Sequence, residues 1–233
     1  MFAFFDYFSY LCCMNKNLIK DIIIGMSDGL TVPFALTAGL SGVIHSNDII
    51  VLSGMAEIAA GCIAMGLGGF LAGETEVHHY DDLLKKEYIA IENNPEEEIK
   101  HVEDAFRAFG VDEELTKQVA SQITSNKDHW VDFMMQVELK VEKPHESRAT
   151  ASAITIGLSY LVGGLIPLLP YVFTSTIGDG FKYSCIFTII ALVIFGFFKS
   201  KFTGQPLLKG TIKVAAIGII AAAAAYFLAK SIS

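Results

Sequence analysis

The stretch from residue 22 to residue 44 reads IIIGMSDGLTVPFALTAGLSGVI and carries a single charged residue, Asp28. Four later runs are equally apolar, and the only charge in all of them is Glu57; they span residues 49–73, 149–178, 183–198 and 214–229. An α-helix rises about 1.5 Å per residue, so about 20 apolar residues cross a hydrocarbon core of roughly 30 Å. The last two runs reach that length with flanking lysines, which can extend to the interface. The sequence therefore predicts an all-α membrane protein with five transmembrane helices.

The composition favours a membrane protein over a soluble helical one. Of the 233 residues, 52% are hydrophobic, and the mean hydropathy is +0.48. A soluble protein would have to bury all five runs as core helices, and the remaining polar sequence is too short to cover them. The four cysteines form no C-x-x-C pair, so they indicate neither a disulfide framework nor a zinc site.

The positions of lysine and arginine predict the orientation of these helices. Fifteen of the 17 basic residues lie in residues 1–20, 74–148 or 199–213, which five helices would place on one side of the membrane. The positive-inside bias makes that side cytoplasmic. We therefore expect four regions: an N-terminal arm (1–20), helices 1 and 2 (21–73), a cytoplasmic helical domain inserted between helices 2 and 3 (74–148), and helices 3–5 (149–233). The arm and the inserted domain are both expected in the cytoplasm.

The inserted region differs sharply from the rest of the chain. Residues 74–148 hold 19 of the 25 acidic residues and five of the six histidines. Turn-forming motifs (NNP, GVD, SNKD and KP) separate helix-like stretches at about 75–92, 96–109, 113–123 and 128–142. No breaker precedes the first stretch, so we expect it to continue helix 2. In helix 3, Pro167 and Pro170 are expected to bend or end the helix.

Acidic residues at membrane depth are the first candidate site. A carboxylate there costs at least a few kcal/mol, and such residues usually mark an ion or proton path. Asp21 lies seven residues before Asp28 on the same helix face, Glu57 lies in helix 2, and the thioether of Met65 follows two turns later. Carboxylates with a thioether favour Fe²⁺ or a neighbouring transition metal over Mg²⁺ or Ca²⁺. Each residue also has a structural interpretation. Asp28 or Glu57 could form a hydrogen bond to a neighbouring helix, Asp21 could cap the helix end, and Met65 could simply pack against lipid or core.

The inserted region holds a second candidate site. Glu76 and His79, and again Glu98 and His101, form E-x-x-H pairs whose i,i+3 spacing places both side chains on one helix face. Glu87 lies three turns after Glu76 on the same helix face. The remaining candidate ligands follow Trp130 and lie within three turns of one another: Asp132, Met134, Met135, Glu138 and Glu142. A solvated acidic surface is the alternative interpretation.

Several ungapped stretches together resemble the vacuolar iron transporter family. They read DIIIGMSDGLTVPFALTAGLSG, AEIAAGCIAMGLGGFLAGETE, WVDFMMQVELKVEKP and SYLVGGLIPLLPY, and the resemblance covers about residues 20–230. It implies a five-helix homodimer in the lipid bilayer that moves Fe²⁺, and in some members Mn²⁺, out of the cytosol in exchange for protons. It also implies a vacuole-type membrane in a eukaryote or the plasma membrane in a bacterium.

The resemblance assigns roles to particular residues. It implies a transport pathway along Asp21, Asp28, Glu57 and Met65, and metal binding in the inserted region by Glu87, Glu98, Met134, Met135 and Glu138. Ala90 and His101 stand where the family leads us to expect glutamates, and Asp132 stands where a longer glutamate is usual. Fe²⁺, with Mn²⁺, Co²⁺ or Zn²⁺ as further ions, is expected as bound cargo, with no prosthetic group and no nucleic-acid partner.

Two other functions compete with transport. The two E-x-x-H pairs are typical of di-iron carboxylate bundles, which predicts a membrane-anchored ferroxidase. Such bundles need two further long helices, whereas the stretch at 113–123 is short. The second alternative is a metal sensor or scaffold for which the membrane part is only an anchor, and the three acidic residues at membrane depth argue against it.

Overall fold

The fold is entirely helical in the part of the chain that the structure describes. The computed structural model describes the backbone from Phe2 to Ile232 and side chains from Lys16 to Ile232. Within these residues there is no strand, which confirms the predicted all-α class. The elements in chain order are α1 (Phe2–Ser41), α2 (Asn47–Asn93), α3 (Pro95–Ala108), α4 (Glu113–Thr124), α5 (Lys127–Phe133), a π-helix (Met134–Glu138), α6 (Arg148–Phe173), α7 (Ile177–Thr203) and α8 (Leu207–Ile232).

Five of these helices are long and apolar enough to cross a membrane, as predicted. They are α1 from Lys16 onward, α2, α6, α7 and α8. Large apolar side chains cover their outward faces, for example Leu52 at 72% exposed and Ile63 at 70% exposed. Apolar faces of this extent are unusual on water-soluble proteins and suit contact with lipid. Pro33, Pro167 and Pro170 lie inside α1 and α6, so the prolines of α6 do not end that helix.

The described residues divide into two compact units. One comprises the chain up to Leu71 and from Ala149 onward, and the other is Ala72–Arg148. α1 runs without a break through residue 20, and α2 continues to Asn93 as the absence of breakers predicted. We call these the membrane unit and the acidic unit.

The acidic unit owes its short helices to the turn motifs of its sequence. Asp112 caps α4 by accepting hydrogen bonds from the backbone N–H groups of Glu114 and Leu115, and Asn126 caps α5 in the same way. The acidic unit consists of the end of α2, the helices α3, α4 and α5, and the π-helix. These elements enclose an apolar core formed by Tyr80, Ile91, Val102, Ala120, Trp130, Val131, Met134 and Met135.

In the membrane unit, two glycines let α6 lie close to its neighbours at Tyr160. A Cβ atom on Gly29 of α1 would lie 2.3 Å from the carbonyl oxygen of Tyr160. A Cβ atom on Gly61 of α2 would lie 2.5 Å from the hydroxyl oxygen of the same tyrosine. A side chain at Gly29 would meet the backbone of α6 and push the two helices apart, whereas a side chain at Gly61 would displace the Tyr160 ring.

Adding one methyl group at Gly29 is expected to destabilise the membrane unit. The Gly29→Ala methyl would overlap backbone atoms of α6, and overpacking of this kind costs roughly 1 to 3 kcal/mol. Thermal unfolding of the full-length protein in detergent measures the effect as a lower midpoint. Gly68→Ala is the matched control, because nothing lies within 4 Å of a Cβ atom there. An equal loss in both variants would contradict the close crossing of α1 and α6.

Candidate functional site

The two aspartates predicted in the first membrane helix both lie inside α1. Asp21 is 3% exposed, and Asp28 is partly buried two turns later. Their separation of seven residues places them on the same face of the helix. Two carboxylates therefore lie on one face of α1, and they are the only charged residues of this helix after Lys20.

The two carboxylate oxygens of Glu57 on α2 have different environments. Its Oε1 accepts a hydrogen bond from the Tyr160 hydroxyl of α6, whereas its Oε2 is buried without a hydrogen-bond partner. Asp28 is close enough to interact electrostatically with the same tyrosine hydroxyl. The structure thus brings Glu57 and Tyr160 into contact, with Asp28 within electrostatic range of the tyrosine. A buried carboxylate oxygen without a partner is costly, and a bound cation or proton would relieve that cost.

Tyr160 did not stand out in the sequence analysis. It lies in an uncharged run, and its contact with Glu57 joins residues 103 positions apart. The sequence offers only a weak indication of this role, which is that Tyr160 is a hydroxyl-bearing aromatic residue amid apolar and small ones in SYLVGG. The fourth predicted pathway residue, Met65, lies on α2 two turns after Glu57 and is partly exposed.

Three predicted ligands of the acidic unit converge. One potential ligand atom from each of Glu98, His101 and Glu138 lies within 4.8 Å of the other two. His101 Nδ1 and Glu138 Oε1 are 2.5 Å apart. A divalent transition metal binds oxygen and nitrogen ligands at about 2.1 Å, so ligands on opposite sides of one ion are about 4.2 Å apart. The three side chains therefore lie close enough to share a single ion once the hydrogen bond between His101 and Glu138 is replaced by bonds to that ion.

Glu87 adds a fourth carboxylate near this group. Its Oε2 is buried without a hydrogen-bond partner. Burial raises its pKa above the usual value, and the neighbouring charges of Glu98 and Glu138 raise it further. Burial also raises the pKa of Glu98, and the charges of Glu138 and Glu97 raise it further, whereas His101 lowers it. Hydrogen bonding to Glu138 raises the pKa of His101. Carboxylates are thus held close enough to destabilise one another's charge, which a cation would relieve.

Met134 and Met135 lie in the π-helix that precedes Glu138. Both are 1% exposed and pack in the apolar core of the acidic unit. Leu139 donates its backbone N–H to the Met134 carbonyl oxygen, five residues back, at 3.0 Å. π-helical turns are rare and recur at functional sites. This π-helix begins at the two buried methionines and ends at Glu138, whose carboxylate contacts His101.

Two other candidates lie apart from the group of three. Asp132 is exposed and lines a shallow groove with His129 and Gln136. In the other E-x-x-H pair, Glu76 Oε2 accepts a hydrogen bond from Arg148 Nε at 3.2 Å, and His79 is exposed. Among the described residues, Glu98, His101 and Glu138 form the one group of histidine, cysteine and acidic side chains spaced to hold a metal ion.

Five membrane-length helices, two of which carry acidic side chains within their apolar runs, define a multi-pass membrane protein of the kind that moves ions. The chain belongs to the VIT family, whose model matches residues 19–230.

Similar proteins agree with this assignment. Vacuolar iron transporter 1 of Arabidopsis thaliana is 46% identical, and the match covers 92% of this chain and 86% of the relative. Vacuolar iron transporter of Centaurea cyanus is 48% identical over 91% of this chain and 86% of its own. Protein CCC1 of Saccharomyces cerevisiae is 36% identical over 93% of this chain and 70% of its own. The two plant relatives are named as transporters and not as enzymes, which does not favour the ferroxidase alternative.

Proposed function

We propose that this protein is a proton-coupled exporter that moves Fe²⁺ from the cytosol into an acidic lumen or the external space, and that it also accepts Mn²⁺. The pathway runs along Asp21, Asp28, Glu57 and Met65. The main support for this proposal is that the Oε2 atom of Glu57 is buried in the membrane unit without a hydrogen-bond partner. The names of the similar proteins support iron as the cargo.

Charge makes these residues suitable for exchange of a cation with protons. Carboxylates bind a divalent cation when they are ionised and release it when protons take its place. An acidic far side supplies those protons, so a pH gradient would drive the cation outward. The thioether of Met65 adds a softer ligand that suits Fe²⁺ better than Mg²⁺ or Ca²⁺.

The proposed topology follows from the distribution of basic residues. The N-terminal arm and residues 74–148 lie in the cytoplasm, because these segments and the α7–α8 connection hold nearly all lysines and arginines. The membrane is of the vacuolar type in a eukaryote. Two copies pair through the membrane unit, so that the acidic pathway is covered by protein on all sides, as ionisable groups at this depth require.

The acidic unit collects the ion in this proposal. Glu98, His101 and Glu138 bind it directly, with Glu87 beside them. Met134 and Met135 supply soft ligands if the core opens, and Asp132 contributes from outside the group of three. The set contains carboxylate and imidazole ligands, which Fe²⁺, Mn²⁺, Co²⁺ and Zn²⁺ all accept.

Uptake into vesicles tests the proposed export. Purified protein in liposomes with an acidic interior is expected to accumulate Fe²⁺ under anaerobic conditions, and Asp28→Asn is expected to abolish this uptake. Asp48→Asn is the matched control, because Asp48 is exposed at the start of α2. Normal uptake by Asp28→Asn, or equal losses in both variants, would contradict the assignment of Asp28 to the pathway.

His101 is expected to set the preference of the acidic unit among metals. An imidazole favours Zn²⁺ and Co²⁺ relative to Mn²⁺, which prefers oxygen ligands. His101→Glu is therefore expected to raise the ratio of Mn²⁺ to Zn²⁺ affinity on the order of tenfold. Calorimetric titration of the full-length protein measures both affinities. His129→Glu is the control, since His129 is exposed outside the group, and an unchanged ratio in His101→Glu would exclude His101 as a ligand.

A further inference from the structure

The connection between α7 and α8 is strongly basic and has no acidic counterpart. Between Asp179 and the end of the sequence there is no aspartate or glutamate. Four of the six lysines in that stretch lie around the three-residue connection at 204–206: Lys199, Lys201, Lys209 and Lys213. In the described part of the chain, no acidic side chain forms an ion pair with any of them, whereas Lys86, Lys117 and Lys127 of the acidic unit are paired.

The same connection exposes apolar side chains. Every residue from 201 to 209 is exposed, including Phe202 at 62% and Leu208 at 74%. Lysines and large apolar residues are therefore exposed together along one short segment at the end of two membrane-length helices. Basic side chains bind lipid phosphates at such a position, while apolar ones enter the acyl boundary.

The helices fix the position of these side chains. A Cβ atom on Gly210 would lie 2.0 Å from the Ser200 hydroxyl oxygen, so α7 and α8 touch at this pair. Gly204 ends α7 in the left-handed conformation, with φ of +67°, and its N–H bonds to the Ser200 carbonyl oxygen. The lysines are consequently presented by a closed helical hairpin, and binding an anion there requires little ordering of the backbone.

We infer that the α7–α8 connection is a binding surface for the headgroup of an anionic phospholipid. Charge complementarity selects an anionic headgroup, and the exposed Phe202 and Leu208 select a ligand that has acyl chains over a free anion. The leaflet concerned is the cytoplasmic one, which rests on the topology proposed above. Binding itself does not depend on transport.

Lysines at the two ends of the same hairpin provide a matched test. Lys201→Gln/Lys209→Gln removes two exposed charges at the connection, and Lys182→Gln/Lys230→Gln removes two exposed charges from the opposite ends of the same helices. Native mass spectrometry of the full-length protein in detergent measures binding of phosphatidylserine and of phosphatidylcholine with identical acyl chains. Glycerophosphoserine, which has the headgroup and no acyl chains, is the third ligand.

We expect the wild-type protein to prefer phosphatidylserine to phosphatidylcholine. The connection variant should bind phosphatidylserine on the order of tenfold more weakly, and the control variant should bind it within about twofold of wild type. Equal losses in both variants, no loss in the connection variant, or no preference for phosphatidylserine would overturn the inference. Displacement of the lipid by glycerophosphoserine at equal concentration would also overturn it, since the site would then recognise a free anion. Thermal unfolding confirms that both variants remain folded, and uptake assays report separately on the proposed transport.

Discussion

Glu57→Gln is expected to reduce Fe²⁺ uptake to the level of vesicles without protein. Glutamine has the size of glutamate and still offers an oxygen to the Tyr160 hydroxyl, so the packing of α2 against α6 should survive. What it loses is the negative charge at the buried Oε2, where a cation would bind. A neutral amide in this position cannot neutralise a divalent ion, nor can it exchange that ion for a proton.

Two further variants separate loss of charge from loss of structure. Tyr160→Phe removes the hydrogen-bond donor and keeps the carboxylate charge, so it is expected to reduce uptake less than Glu57→Gln. Ser53→Ala, one turn before Glu57 on α2, changes a partly buried polar residue that carries no charge, and it is expected to leave uptake unchanged. Wild-type uptake by Glu57→Gln in a protein with unchanged thermal stability would remove Glu57 from the pathway.

The double variant Glu98→Gln/Glu138→Gln is expected to weaken metal binding by the acidic unit on the order of 100-fold. It removes the negative charge from two of the three side chains that lie within 4.8 Å of one another and leaves weakly ligating amides beside His101. Anaerobic titration of the full-length protein with Fe²⁺ measures this affinity. Trp130, the single tryptophan of the chain, lies in the same core as Met134 and Met135 and provides an intrinsic fluorescence signal.

Glu96→Gln/Glu114→Gln is the control for that variant. Both residues are exposed in the acidic unit, one on α3 and one on α4, so the control removes the same charge without touching the group of three. Uptake at saturating Fe²⁺ should persist in both variants, because the membrane pathway is intact. Equal weakening of Fe²⁺ affinity in the variant and the control would show that the ion binds to a general acidic surface and not to the group of three.

The membrane helices could be predicted from the sequence because their signal is local. A run of about 20 apolar residues needs no knowledge of its neighbours to be recognised. The same holds for the continuation of α2 to Asn93 and for the helix starts that follow Asp112 and Asn126. Turn and cap residues act within three or four positions, so the sequence carries the whole signal.

Contacts between distant residues could not be predicted in this way. The two E-x-x-H pairs have the same spacing, yet Glu98 and His101 meet Glu138 while Glu76 meets Arg148. Spacing defines the face of a helix that two residues share, and the packing of helices decides what that face contacts. Tyr160 reaches Glu57 only because Gly29 and Gly61 leave room for it. Likewise, no sequence pattern indicates the π-helix at Met134–Glu138.

The most direct test of Fe²⁺–proton exchange is the internal pH of acid-loaded proteoliposomes. A pH-sensitive dye inside the vesicles reports proton movement when Fe²⁺ is added outside under anaerobic conditions. Exchange predicts that the internal pH rises as Fe²⁺ enters, and that neither change occurs with Glu57→Gln. Entry of Fe²⁺ without a change in internal pH would contradict the proposed coupling to protons.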